Sequence, residues 1–173
     1  HEAILFNLSQ IASAFDFRTR DRHEAVVLWL PHYHDMGLFG RLECLFAACT
    51  GHLFSHNEFV RRPQRWMDHV SKLGATVTGA PNFAFELASK SLGSSPLDLS
   101  KLRVAFCGSE PIVHRALEQF VEAHLPSGLD PYCVTPCYGM AEATLMVSCH
   151  VPGEPLKILE PELSAKVRGY GSN

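Results

Sequence analysis

Ala25-Val26-Val27-Leu28-Trp29-Leu30-Pro31 is a short, unbroken apolar run, rich in strand formers and closed by a proline. A strand with one wet face alternates apolar and polar residues, whereas a run apolar throughout fits a strand covered on both faces, the habit of parallel sheets. Outward from it, the chain alternates between two kinds of segment. Upstream, Ile4, Leu5, Leu8, Ile11, Ala12 and Phe15 recur at helical spacing and predict an amphipathic helix. Downstream, His32 to Gly37 reads as a loop, Leu38 to Cys49 as a helix and Gly51 to Ser55 as a second strand. Pro63 suits the first turn of a helix whose Trp66, Met67, Val70 and Leu73 share a face, and Gly74 stops it. A strand at Ala75 to Thr78, a helix opened by Pro81-Asn82, and a loop at Gly93 to Pro96 follow. A strand at Leu102 to Cys107, a helix at Ile112 to Leu125 and a strand at Tyr132 to Thr135 complete the series. The predicted fold is α/β, a largely parallel sheet with helices on both faces.

Composition narrows the function classes. The 173 residues suit one domain with a sizeable core, and 46% hydrophobic with 19% charged residues is the balance of a folded globular protein. A net charge of −3 gives no general attraction to nucleic acid or to an anionic membrane. Arg61, Arg62 and Arg65 lie beside Glu58 and Asp68 at helical spacing, a solvated helix start rather than a phosphate patch. The apolar stretches fall far short of the roughly 20 residues that span a bilayer, so no membrane span is expected. The opening His1, with no charged leader before an apolar core, suggests a piece of a longer polypeptide. Several of the six cysteines lie within apolar stretches and the chain is too core-rich to need disulfide staples, so reduced thiols in a cytoplasmic protein are expected. Asn7-Leu8-Ser9 has the form of a glycosylation acceptor but lies inside a helical pattern.

In open parallel sheets, ligands bind beyond the carboxyl ends of the strands. Three loops that follow strands carry the unusual residues: Pro31-His32-Tyr33-His34-Asp35-Met36-Gly37, Cys107-Gly108-Ser109-Glu110-Pro111 and Pro136-Cys137-Tyr138-Gly139-Met140-Ala141-Glu142-Ala143-Thr144. Between the first two stands Gly79-Ala80-Pro81-Asn82-Phe83-Ala84-Phe85-Glu86. In this order and spacing, joined by Arg62-Pro63, Arg65-Trp66 and Leu97-Asp98-Leu99-Ser100, the set resembles the fatty acyl-AMP ligases, a branch of the adenylate-forming superfamily. Tyr138-Gly139 and Glu142 are shared with the whole superfamily, while His34-Asp35-Met36-Gly37 and Pro81-Asn82-Phe83-Ala84 point to this branch.

The resemblance implies the central subdomain of an adenylate-forming enzyme's N-terminal domain. It implies ATP and Mg²⁺ as co-reactants, a fatty acid as substrate and an acyl carrier protein as the partner that accepts the acyl group. Tyr138 would stack on adenine, with the backbone of Gly108, Ser109, Glu110 and Pro111 as the opposite wall and Gly139, Met140 and Ala141 continuing the nucleotide site. Glu142 would hold Mg²⁺, a hard oxygen ligand for a hard cation. His34 would donate to charge developing at the acyl carboxylate and α-phosphate. Met36, Gly37, Asn82, Phe83 and Phe85 would line or shape the alkyl tunnel. Residues 1–148 would form the α/β subdomain, and 149–173 would begin the insertion that marks the branch. The family's phosphate loop, ribose aspartate and C-terminal catalytic lysine have no match here, so the chain alone is expected to be inactive.

Each residue also has a plainer reading. Tyr138 fits a half-buried aromatic, and Glu142 a helix-start carboxylate four residues beyond it, on the same side of one turn. His32, His34 and Asp35 lack the further partner of a metal site. Cys133 and Cys137 do not have zinc-knuckle spacing, and Cys107 has no evident base. The sequence departs from the family at His32, where proline is common, and at Cys107 and Ser109, where asparagine and alanine are common. Two other functions share these motifs: an acyl-CoA synthetase, and a catalytically silent domain of the same fold that binds lipid or a partner.

Overall fold

The computed structural model describes residues 1–17 and 23–158. Helix α1 (Glu2–Ala14) precedes strand β1 (Ala25–Leu28), and α2 (Asp35–Phe46) leads to β2 (Thr50–Leu53). Helices α3 (His56–Arg61) and α4 (Gln64–Leu73) lead to β3 (Val77–Ala80), and α5 (Asn82–Lys90) to β4 (Val104–Cys107). Helix α6 (His114–His124), extended by the 3₁₀ turn Leu125–Ser127, leads to β5 (Val134–Gly139). A second 3₁₀ turn, Ala141–Ala143, connects β5 to β6 (Met146–Cys149). The strands form one sheet in the order β2-β1-β3-β4-β5-β6, with every neighbouring pair parallel except β5 and β6.

Alternation along the central strands builds two cores. Val27, Ala80, Ala105, Cys107 and Val134 face Phe59, Trp66, Val70, Phe85, Leu117 and Phe120 of α3 to α6. Val26, Leu28, Val77 and Val104 face Leu8, Ile11 and Ala12 of α1, Phe15 just beyond it, and Phe39 of α2. The right-handed crossover rule explains the division. The connection from β1 runs to β2 on one side, those from β3 and β4 run the other way, and their helices therefore lie on opposite faces. The α2 and α5 connections leave neighbouring strands in opposite directions, so the carboxyl ends of β1 and β3 flank the topological switch point where such sheets bind ligands.

Several boundaries differ from the expected ones. Helix α2 begins at Asp35, inside the segment read as a loop, because His34 caps it: its Nδ1 lies 3.2 Å from the Met36 amide. Short α3 escaped the sequence reading, although Ser55 and Glu58 have capping-box spacing and the Ser55 hydroxyl accepts from the Asn57 amide. Strand β3 lies two residues later than expected, and β5 runs on through Pro136 to Gly139. Tyr138 is consequently a strand residue, and the helical turn expected to align it with Glu142 is instead a hairpin connection. Asn7 is buried, its amide donating to Met146 O and accepting from Met146 N, so the apparent glycosylation triplet ties α1 to β6. Of the stretch 149–173, Cys149 ends β6, and residues 159–173 lie outside the described residues. Among the described residues no helix is long and apolar enough to cross a membrane.

Candidate functional site

A cavity of about 180 Å³ opens at the carboxyl ends of the strands, between the sheet and the helices α1 and α2. Its depth is mostly apolar, lined by Ile11 of α1 and Phe15 just beyond it, Phe39 of α2, and Val26, Leu28 and Phe106 of the sheet, with the buried carboxylate of Glu43 on α2 also facing it. Phe15 and Phe106 stack at 5.7 Å between ring centroids. The rim is polar, made by His34 and Asp35 at the start of α2, Gly108 and Ser109 after β4, and Tyr138 and Gly139 at the end of β5. Apolar depth with a few polar groups at the mouth suits a ligand with a greasy tail and a charged head.

The start of α2 is anchored tightly. A Cβ on Gly37 would stand 2.0 Å from the Pro31 carbonyl oxygen, so only glycine lets the helix begin against that loop. Arg41 donates to the carbonyls of Gly37 at 2.6 Å and Leu30 at 3.1 Å, holding helix and loop together. Met36 is buried and reaches the cavity, where its sulfur accepts from the Ser109 hydroxyl at 3.4 Å. The His34 Nδ1 lies 2.9 Å from Asp35 Oδ1 as well as near the Met36 amide. A neutral Nδ1 accepts from the amide and a protonated one donates to Asp35, and Asp35 Oδ1 itself accepts from that amide at 2.7 Å.

The turn after β4 is braced from α5. Glu110 accepts from the Phe83 amide at 2.7 Å, and Asn82 Oδ1 accepts from the Val113 amide at 3.0 Å. Within this turn Ser109 adopts a left-handed φ of 69°. Asn82 and Glu110 thus position the turn and do not line the cavity. Phe83 is half exposed and meets Trp29 edge-on, while Phe85 is wholly buried between Trp66 and Phe120 in the opposite core. Pro111 is an exposed member of the same turn.

The third part of the rim is the β5–β6 hairpin. Tyr138 is 57% exposed, so its ring is open to a stacking partner. Gly139 is required where the two strands close up, because a Cβ there would lie 2.1 Å from Leu145 O. Met140, Ala141 and Glu142 follow as exposed residues of the connection, with the Met140 amide donating to Leu145 O at 2.8 Å. Thr144 closes it as the centre of a γ-turn, with φ 75° and ψ −61°, and the Leu145 amide donates to Ala143 O at 3.0 Å. A β-branched residue in this conformation carries strain of about 1–3 kcal/mol, a feature that clusters at functional sites.

Six of the expected site residues therefore meet at the cavity: His34, Met36, Gly108, Ser109, Tyr138 and Gly139. The apolar wall from α1 and the sheet was not foreseen as part of a site. Helical periodicity marks Ile11 and Phe15 as buried but does not say that a cavity lies beneath them. Among the described residues no three His, Cys, Asp or Glu gather as a metal cluster.

The model of the AMP-binding enzyme family matches residues 1–169. The chain belongs to the AMP-binding enzymes. It is 39% identical to the long-chain-fatty-acid–AMP ligase FadD32 of Mycolicibacterium smegmatis over 92% of its own length, and 36% identical to FadD23 of Mycobacterium tuberculosis over 95%. It spans 26% and 30% of those two proteins. Among solved structures, the fatty acyl-adenylate ligase of Legionella pneumophila, determined with acyl adenylate and pyrophosphate, superimposes with a TM-score of 0.85 at 35% identity. That match covers 91% of this chain and 28% of the other. The mostly parallel sheet with helices on both faces is thus the architecture of the AMP-binding enzymes.

Proposed function

We propose that this AMP-binding chain forms part of a fatty acyl-AMP ligase, which joins a fatty acid to AMP and passes the acyl group to the thiol of an acyl carrier protein. The observation that carries the reading is the cavity, mostly apolar in its depth despite the buried Glu43 and rimmed by Tyr138, Ser109 and His34. The alkyl chain enters between α1, α2 and the sheet, against Ile11, Phe15, Met36, Phe39 and Phe106. Its carboxylate stays at the rim. Adenine stacks on the exposed Tyr138 ring, with the turn Gly108 to Pro111 as the facing wall. Gly37, Asn82 and Phe83 support the two loops, and Gly139, Met140 and Ala141 shape the hairpin beside the nucleotide.

A carboxylate oxygen of the fatty acid attacks the α-phosphorus of ATP, forming the acyl-phosphate bond as the bond to pyrophosphate breaks. With Nδ1 of His34 engaged at its own helix start, Nε2 is the nitrogen left to donate to that developing charge. The carrier thiol then attacks the acyl carbon and AMP leaves. Glu142 fits Mg²⁺ as an exposed hard-oxygen donor on the hairpin connection. With no further acidic cluster among the described residues, the ion would take its other ligands from phosphate oxygens and water, its usual habit. When bound, Mg²⁺ supplies neutralisation of the phosphate charge. The reaction belongs in the cytoplasm, where ATP and carrier proteins meet.

A fatty-acid–CoA ligase is the second reading, favoured by 39% identity over 139 residues to a Mycobacterium tuberculosis protein named as a putative fatty-acid–CoA ligase. The test is an acceptor competition. The full-length protein, given long-chain fatty acid, ATP and Mg²⁺ with equal holo-acyl carrier protein and CoA, should form acyl-adenylate and then acyl-carrier thioester, resolved by mass spectrometry. Predominant acyl-CoA would install the second reading, and no acyl-adenylate at all would overturn both.

A further inference from the structure

Beyond Pro136, strand β5 pairs antiparallel with β6, and Cys137 stands directly opposite Cys149. The His150 amide donates to Pro136 O at 2.8 Å, which makes 136 and 150 a hydrogen-bonded pair. The next pair, 137 and 149, is therefore of the non-hydrogen-bonded kind, in which facing Cα atoms approach to about 4.5 Å with their side chains on the same face. A disulfide spans Cα separations of roughly 4.4–6.8 Å, so these two residues can be joined with little movement of the strands.

Both residues are free thiols and half-buried. The Cys137 S–H has two acceptors in reach, the Thr135 carbonyl at 3.3 Å and the Cys149 sulfur. The bond to Cys149 favours a thiolate there and draws its pKa down to about 7, while the same bond and burial push Cys137 far above the ordinary thiol range. A low-pKa thiolate beside a protonated partner is the arrangement of a reacting and a resolving cysteine. A surface cleft lined by Ile112, His114, Ser148 and both cysteines admits a small oxidant. Neither thiol has a chemical step in the adenylation described above, although Cys137 also borders its cavity.

We propose that Cys137 and Cys149 form an oxidisable dithiol, closed to a disulfide by hydroperoxides, that staples β5 to β6 immediately before Tyr138. The Cys149 thiolate attacks one peroxide oxygen, the O–O bond breaks, and the distal oxygen leaves as hydroxide or alkoxide. This gives a sulfenic acid on Cys149. The Cys137 sulfur then attacks the Cys149 sulfur and expels hydroxide, which takes up the Cys137 proton as water. Two thiols are oxidised and one peroxide is reduced. The new bond fixes the strand pair that carries the Tyr138 ring and the Glu142 turn, and a small dithiol reverses it.

The test uses the full-length protein, reduced, freed of reductant and treated with a few equivalents of hydrogen peroxide, then digested without reductant for peptide mass mapping. Peptides containing Cys137 and Cys149 should be found joined, lighter by two hydrogens, and separated again by dithiothreitol. In Cys137→Ser, Cys149 should halt at the sulfenic acid and be captured by dimedone, whereas in Cys149→Ser, Cys137 should stay a thiol. The proposal is overturned if wild-type protein with a native circular dichroism spectrum leaves the two unlinked, whether they remain thiols, pass to sulfonic acids, or yield to a bond between Cys44 and Cys49. The wild-type map is decisive even if a variant fails to fold.

Discussion

Tyr138 and Glu142 bear the nucleotide half of the proposed site, and neither is held there by the helical turn that their spacing suggests. Tyr138 ends a strand, Glu142 sits in the following 3₁₀ turn, and the strained Thr144 folds the chain back to β6. Their roles separate in kinetics. Glu142→Gln keeps the shape and removes the charge, and loss of one electrostatic element of this kind costs about 10²–10³ in rate. Adenylation turnover in the full-length protein should fall by roughly that factor, with thermal stability little changed because the side chain is exposed. Tyr138→Ala should instead raise the KM for ATP, by the roughly 1–3 kcal/mol of a lost base stack. A wild-type rate for Glu142→Gln across a Mg²⁺ titration would show that the carboxylate serves only its own turn.

At the scale of elements, the sheet depends on ties that the linear pattern does not advertise. Asn7 reaches from α1 to both backbone polar groups of Met146 on the edge strand β6. Asn7→Ala leaves both without that partner and should destabilise the fold by about 1–3 kcal/mol, read as a lower urea midpoint at unchanged slope. On α6, burial against Phe120 lowers the pKa of His124 below its ordinary 6.5, and its Nδ1 lies 2.8 Å from the Phe120 carbonyl. The unfolded chain therefore takes up a proton near pH 6.5 that the folded chain refuses. This part of the stability is complete above that pH and is lost as the pH falls towards the depressed folded value. Urea midpoints between pH 7.5 and 5.5 should fall more steeply for wild type than for His124→Gln. Equal slopes would remove His124 from the account.

The elements also show what was legible. An unbroken apolar run identified β1, as expected of a strand covered on both faces, whereas the equally buried β3 carries Thr78 and Gly79 and was placed two residues early. The loops that follow β1, β4 and β5 were read as chemistry from their unusual residues, and of these His34, Met36, Gly108, Ser109, Tyr138 and Gly139 gather at one cavity. Boundaries set by side-chain hydrogen bonds were not legible, as at His34, whose ring caps α2. Nor was β5 beyond Pro136: a proline argues against a central strand, but here its carbonyl is taken up by His150 of the neighbouring turn. The placement of Phe85 needed the fold itself, since the sequence marks it as apolar without saying which of two cores receives it.

On the scale of the whole molecule, the proposed function makes this chain one wall of a larger reaction chamber. The chain spans 23–30% of the length of the curated relatives it matches, and phosphate positioning and closure over substrate are the parts of such chemistry that orientation and electrostatics make fast. The 173-residue chain by itself is accordingly expected to release no fatty-acid-dependent pyrophosphate. In the full-length protein, the cavity between α1, α2 and the sheet should make activity depend on the alkyl tail, and narrowing it with Gly40→Leu beside Leu28 should penalise longer acids more than shorter ones. The measurement that bears most directly on the central claim is ATP–pyrophosphate exchange by the full-length protein, with and without long-chain fatty acid. The account predicts exchange that requires both the fatty acid and Mg²⁺ and that collapses in Glu142→Gln. Exchange driven equally well by a short polar acid or an amino acid, or no exchange with any fatty acid by the folded protein, would contradict it.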